Sequence, residues 1–327
     1  MSVLRDAVSR VFKRPEIVSA VMCVLMAGTL AATSPHFFNP YNIESLVASV
    51  SPEGIVGLGM MLLLITGVFD LSVGSVMCLG GLVAAMALTA GYSTPVSVFL
   101  GLVSGAAVGL ANGLLSEHAG VNPLITTLGS MYIVRSITEL IIVKQGQTGY
   151  SNLPASFTAL GQGRLWGVHY MFWIMIVLAV VFTIGITMTP WGRRLFFIGG
   201  NEQAAVAMGI NKKLIRIWLY ILAGILSALA GILVDARAGA ATRYIGQKSH
   251  MNVIVACAIG GGSLMGGKGN MIGAMFGALF LSLLSNAFNL YEINQQIQTL
   301  TLGAVLIAVV TVDGYLQIRK RRALGKE

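Results

Sequence analysis

Four ionisable residues, Glu53, Asp70, Arg135 and Glu139, stand inside stretches that are otherwise apolar. A charge in hydrocarbon is costly, so each marks either a polar route or a paired, packed group. Arg135 and Glu139 are four apart and share a helix face, where they can neutralise each other; a polar patch on a pathway and a self-paired group facing a bundle are both open readings. Asp70 comes just before Leu71 and Ser72 at the start of an apolar run, where a carboxylate can cap a helix; contact with a transported solute is the other reading. Asn112, Asn122, Thr126, Thr127, Asn286 and Asn289 lie within similar runs or at their ends. Their amides and hydroxyls suit a hydroxyl-rich substrate, and equally suit hydrogen bonds between helices.

Other chemistries find little support. No nucleophilic triad and no HExxH zinc pattern is evident, so an intramembrane enzyme is disfavoured. Cys23, Cys78 and Cys257 all fall in apolar runs without a Cys-x-x-Cys, which reads as packed thiols. His36, His118, His169 and His250 are scattered, with no second ligand at metal spacing. The run from Gly262 to Lys268 matches most of a P-loop, but Gly269 stands where the Mg²⁺-holding hydroxyl belongs. Neither a metal nor a nucleotide is expected on this chain.

The elements that position these residues follow from composition. The 327 residues are 56% hydrophobic and 10% charged, with a mean hydropathy of +0.81. A soluble domain carries about 25% charged residues. The expected fold is all-α: a polytopic membrane protein of about ten spans, each roughly 20 residues to cross ~30 Å of hydrocarbon. The spans are expected at 17–33, 43–66, 70–89, 95–115, 123–143, 170–188, 214–235, 251–262, 271–290 and 297–315. Residues 1–16 form a basic, amphipathic cytoplasmic segment, 17–316 the membrane domain, and 317–327 a basic cytoplasmic tail. Of the 21 lysines and arginines, fifteen fall on the side of the N-terminus, five on the other, and Arg135 within a span. That asymmetry, rather than nucleic-acid binding, accounts for the net charge of +9 and places both termini in the cytoplasm.

Three interruptions break the apolar pattern: Ser51–Pro52–Glu53, Gly67–Asp70 and Gly260–Gly269. Paired interruptions in two halves of a chain point to an inverted internal repeat and a translocation pathway, here spans two to five against seven to ten. Gly101, Gly105, Gly109 and Gly113 recur every four residues and present one smooth helix face, for packing within a subunit or between two. The loop 190–216 carries five basic residues. Its middle, Asn201–Ile210, reads as a short helix with Asn201 as cap, Glu202 in the first turn and Gly209 as stop.

Four blocks, in order, resemble the permease subunits of ATP-binding-cassette importers for simple sugars of the ribose, arabinose and xylose type. They are GVFDLSVGS (Gly67–Ser75), NPLITTLGSMYIVRSI (Asn122–Ile137), WGRRLFFIGGNEQAAVAMGI (Trp191–Ile210) and AIGGGSLMGGKGNMIGA (Ala258–Ala274). The resemblance runs along nearly the whole chain, with Phe69 where isoleucine is frequent. It implies a pathway for a pentose or hexose, worked by alternating access and powered by a separate ATPase. The loop bearing Gly192, Arg193, Gly199, Gly200, Asn201, Glu202, Ala204, Ala205 and Gly209 would couple to that ATPase. The candidate pathway set is Asp70, Ser72, Asn112, Asn122, Thr126, Thr127, Arg135, Asn286 and Asn289. The implied partners are ABC ATPase subunits, a periplasmic or surface solute-binding protein, a second permease copy and the lipid bilayer of a bacterial inner membrane. ATP and Mg²⁺ would be used on the ATPase, with no cofactor on this chain. The competing expectations are a permease for nucleosides, branched-chain amino acids or a furanosyl signal, and an ion-coupled secondary carrier.

Overall fold

The computed structural model describes residues 15–144 and 149–323. The expected segment 1–16 therefore falls almost wholly outside the described residues, as does the end of the tail, 324–327. Thirteen helices are described, joined by short strand pairs. They are α1 (Pro15–Thr33), α2 (Pro40–Ile65), α3 (Val73–Thr89), α4 (Thr94–Glu117), α5 (Pro123–Lys144), α6 (Ala155–Gln162), α7 (Tyr170–Met188), α8 (Pro190–Gly200), α9 (Glu202–Ala207), α10 (Lys212–Ala238), α11 (Ser249–Ile259), α12 (Met271–Leu290) and α13 (Gln295–Ala323). The strands are β1 (Gly149–Tyr150), β2 (Arg164–Leu165), β3 (Val168–His169) and β4 (Ala241–Thr242). β1 pairs antiparallel with β4, and β2 with β3.

Each of the ten expected spans is a helix, and seven are long and apolar enough to cross a membrane. Two shorter apolar helices, α3 and α11, accompany them. Proline opens α1, α2, α5 and α8, where its missing N–H is no loss. Inside α2, Pro52 does not break the helix, against the expected interruption at Ser51–Glu53. Every residue from Val50 to Ile65 except Glu53 is buried, and packed neighbours on all sides hold a proline-bearing helix straight enough to continue. The other two interruptions are real. Residues 66–72 and 260–270 are non-helical, with Gly67, Gly261, Gly266 and Gly267 at positive φ.

The two long helices α2 and α10 form the core and lie against each other. α10 packs on α3 and α4, and α2 packs on α11 and α12. Each thus rests on the helix pair that follows the other in the chain, a reciprocal exchange between two halves. The glycine stripe explains how close α4 and α10 come. A Cβ at Gly105 would fall on the Gly224 carbonyl oxygen, and one at Gly113 would sit 2.9 Å from Ile217 Cα. Gly273 and Gly277 let α12 approach Gly260 and Ala256 in the same way. With no hydrophobic drive between helices in lipid, such backbone contact supplies much of the cohesion. The three cysteines are free and buried.

Candidate functional site

At one end of the bundle, three helices are cut by side-chain caps. Thr189 accepts from Gly192 N at 3.2 Å to open α8. Asn201 Oδ1 accepts from Ala204 N at 3.0 Å to open α9, and Asn211 Oδ1 from Leu214 N at 3.1 Å to open α10. Each cap satisfies an orphan amide of a first turn. Gly209, at φ +77°, ends α9 with its N–H on Val206 O at 2.9 Å. α9 buries only Ala205; Gln203, Ala204, Val206, Ala207 and Met208 form an exposed, mostly small-residue face. Arg193 and Arg194 on α8 are exposed beside it.

Glu202 fixes this short helix to the bundle. It is paired with Lys212, and its Oε2 meets Arg216 Nη2 at 2.9 Å. The Arg216 side chain is only 10% exposed, and its Nη2 also donates to Thr66 O, the C-cap of α2, at 2.7 Å. Its Nη1 reaches Glu117 Oε1, at the end of α4, at 3.4 Å. One guanidinium therefore ties α9 to the ends of α2 and α4, using the fork of donors that lysine lacks. Partial burial pushes the Glu202 carboxyl up, but Lys212 and Arg216 outweigh it and hold the group below the usual carboxylate range.

A backbone junction lies beside this hub. Gly267 N donates to Ile65 O at 2.9 Å, the end of α2. A Cβ at Gly199 would strike Ile65 O, and one at Gly266 would sit 2.9 Å from Gly67 Cα. The stretch that mimics a P-loop is thus a glycine contact that seats the end of α8 on both helix breaks.

The interior polar residues form two groups. Ser72 donates to Asp70 Oδ1 through its N–H at 2.7 Å and its Oγ at 2.6 Å. Asn112 Nδ2 donates to Ser72 Oγ at 3.0 Å, and Ser130 donates to Asn112 Oδ1. Asp70, Ser72 and Asn112 are buried, and the network joins the start of α3 to α4 and α5. Arg135 makes the second group. Its Nη1 donates to Arg243 O and Ile245 O, both at 3.0 Å, and its Nη2 to Gly74 O at 3.2 Å. Of the two open readings, the self-pairing with Glu139 is absent from the ion pairs among the described residues. Three carbonyl oxygens at the segment before α11 and at the start of α3 take the fork instead.

The remaining candidates are dispersed. Asn122 is exposed and caps α5 through Leu124 N at 2.9 Å. Thr126 and Thr127 are buried on that helix, and Thr127 donates back to Pro123 O at 2.9 Å. Asn286 donates to Asn42 Oδ1 at 2.6 Å and accepts from its Nδ2 at 3.2 Å, locking α12 to α2. Asn289 is exposed. His169 is not isolated, since its Nε2 lies 3.0 Å from Glu44 Oε1, which Arg164 also meets at 2.6 Å. An open cleft of about 910 Å³ is lined by the polar residues Gln247, Lys248, Gln295, Gln296 and Thr299 on one part and by Leu300, Ala304 and Ile307 on another. Arg216 and Asn252 gave a sequence signal that pattern reading undervalued: a single polar residue in each of two apolar runs, IRIWLY and MNVIVACAI. Asp235, buried with Oδ1 unpartnered, gave the same signal.

Comparison with known proteins places residues 42–310 in the family described as branched-chain amino acid transport system / permease component. The chain is 33% identical over 306 residues to the ribose import permease protein RbsC of Haemophilus influenzae, covering 92% of this chain and 94% of that one. It is 33% identical over 280 residues to RbsC of Bacillus subtilis, covering 86% and 87%. The L-arabinose ABC transporter permease protein AraH of Azospirillum brasilense is 33% identical over 317 residues, covering 97% of this chain and 92% of its own. No solved structure matches the chain.

Proposed function

This chain belongs to the family of transport-system permease components, and we propose that it is the membrane-spanning subunit of an ATP-binding-cassette importer for a simple sugar, a pentose or hexose. The observation that carries the reading is the exposed helix α9 fixed to the bundle through Glu202 and Arg216. A short helix with a smooth outer face and a charged anchor to two membrane helices serves to pass a push from an outside engine into the bundle. Support for the sugar class comes from the relatives named for ribose and arabinose.

In this reading, two permease copies form the pathway and a solute-binding protein delivers the sugar on the outer side. Both termini face the cytoplasm, and the membrane is the bacterial inner membrane. ATP and Mg²⁺ are handled on the ATPase subunits, which close on nucleotide and carry α9 with them. The membrane domain, 17–316, then tilts between inward-open and outward-open states. A ligand shifts such an equilibrium only by its differential affinity for the two states. Selectivity therefore belongs to the binding protein, and the pathway itself holds sugar weakly.

The test is reconstitution in proteoliposomes with a partner ATPase and solute-binding protein. ATP-dependent accumulation of a pentose or hexose is expected. Uptake driven by an ion gradient in the absence of the ATPase would replace this reading with a secondary carrier. Uptake of a nucleoside or an amino acid, but of no sugar, would move the substrate class.

A further inference from the structure

Two broken helices begin beside a carboxylate, and the two are finished differently. At α3 the Asp70 network is closed: Ser72, Asn112 and Ser130 satisfy one another. At α11 Glu53 Oε1 accepts from Ser249 Oγ at 3.0 Å and from Asn252 Nδ2 at 3.5 Å. There the network stays open. Glu53 Oε2 and Asn252 Oδ1 are shut away from solvent and have no hydrogen-bond partner. No ion pair among the described residues involves Glu53. Both residues line a partly open cavity of about 160 Å³ between α2, α11 and α12, together with Ser49, Ser282 and Ser285.

Buried acceptors without donors are costly and rare, so a pair of them around one cavity asks for a ligand that donates. The serine hydroxyls on the same wall both donate and accept. The rest of the lining, Ala256, Ala278 and Leu281, is apolar. A bare cation gains nothing from that apolar side, whereas a polyol presents hydroxyls on some edges and C–H groups on others.

We propose that the Glu53–Asn252 cavity is a subsite for a neutral polyol. Turned toward the cavity, the Glu53 and Asn252 side chains accept from two hydroxyls of the ligand, and the serines take the remaining polar groups. The inference rests on the reading of this chain as a sugar permease and names a place in the bundle where the sugar is held. The closed Asp70 network at α3 is then the structural counterpart and the open one at α11 the binding counterpart.

The experiment is saturation-transfer NMR on the permease–ATPase complex in nanodiscs, without binding protein, using D-ribose and L-arabinose at millimolar concentration. Wild type is expected to show transfer to at least one pentose. Glu53→Gln and Ser285→Val are each expected to weaken it by about two- to ten-fold, the loss of one ordinary hydrogen bond. Ser285→Val keeps the test available if Glu53→Gln fails to assemble. Equal transfer in wild type and both variants, or none in wild type, overturns the subsite. So does ²³Na line broadening that Glu53→Gln abolishes while pentose transfer is untouched, which would make this a cation site. A full importer that moves pentose while this NMR is negative leaves the functional reading standing and removes only the subsite. A full importer that moves no sugar removes both.

Discussion

Arg216 and Glu202 meet at 2.9 Å, and the same Arg216 nitrogen donates to the carbonyl oxygen of Thr66 at 2.7 Å. The contact joins a helix outside the bundle to the end of the most deeply buried helix inside it. Because Glu202 is 42% exposed, the pair is screened by solvent and adds little to global stability. On the proposed reading its importance is mechanical: a displacement of α9 would pull on α2 and α4 through one side chain.

The pH behaviour of that anchor follows from the sign of its shift. Glu202 has a folded-state pKa below its ordinary value, through Lys212 and Arg216 working against partial burial. The stabilisation is present above the unfolded pKa, near 4.3, and is lost as pH falls through the folded value. The ratio of sugar imported to ATP hydrolysed is therefore expected to stay level between about pH 6 and 8 as far as this anchor governs it. The check is paired uptake and hydrolysis assays across that range. A Glu202-dependent fall near neutrality, absent from Glu202→Gln, would mean the carboxyl titrates far above its ordinary range.

Gly105 and Gly129 are both helical glycines and differ in what surrounds them. A Cβ at Gly105 would run into Gly224 O, whereas one at Gly129 meets nothing within 4 Å. Gly105→Ala is expected to destabilise the purified chain by about 1–3 kcal/mol through overpacking of α4 on α10. Gly129→Ala is expected to be neutral or to stabilise by up to about 1 kcal/mol through helix propensity. Thermal unfolding in one detergent checks the pair, and equal midpoints would argue against the α4–α10 contact.

Arg135 holds the segment before α11 through Arg243 O and Ile245 O, and the start of α3 through Gly74 O. Arg135→Lys keeps the charge but cannot supply three donors in a planar fork. Hydrogen exchange at the amides of 241–249 is expected to quicken by about ten-fold or more, while α4 and α10 stay protected. Unchanged exchange in that segment would return Arg135 to a partner such as Glu139.

Much of the architecture is legible in the sequence because lipid imposes simple rules. Runs of apolar residues become helices, and glycines at spacing four become a contact face, as Gly105, Gly109 and Gly113 do against α10 and Gly101 does against Gly80 of α3. Asn201 and Gly209 bracket α9 because cap and stop chemistry is local. What stays hidden depends on partners far apart in the chain. Pro52 reads as a break, yet tight packing around α2 carries the helix through it. Arg135 and Glu139, four apart, allow either a mutual pair or a polar patch, and three carbonyl oxygens more than sixty residues away take the guanidinium. Asp70 and Ser72 stand out at a helix start, but Asp70 accepts from Ser72 and not from a first-turn amide, so it does not cap the helix, and Asn112 and Ser130 join the pair only in three dimensions. Glu53 is conspicuous in sequence, but its partners Ser249 and Asn252 come from the other half.

The central claim is that energy enters this bundle through α9 and its Glu202–Arg216 anchor. It is tested most directly by measuring sugar imported per ATP hydrolysed for wild type and Glu202→Gln in the reconstituted importer. A fall in that ratio of about three-fold or more, with the complex assembled and hydrolysis continuing, is the predicted result. An unchanged ratio, with wild-type uptake in the variant, would contradict it.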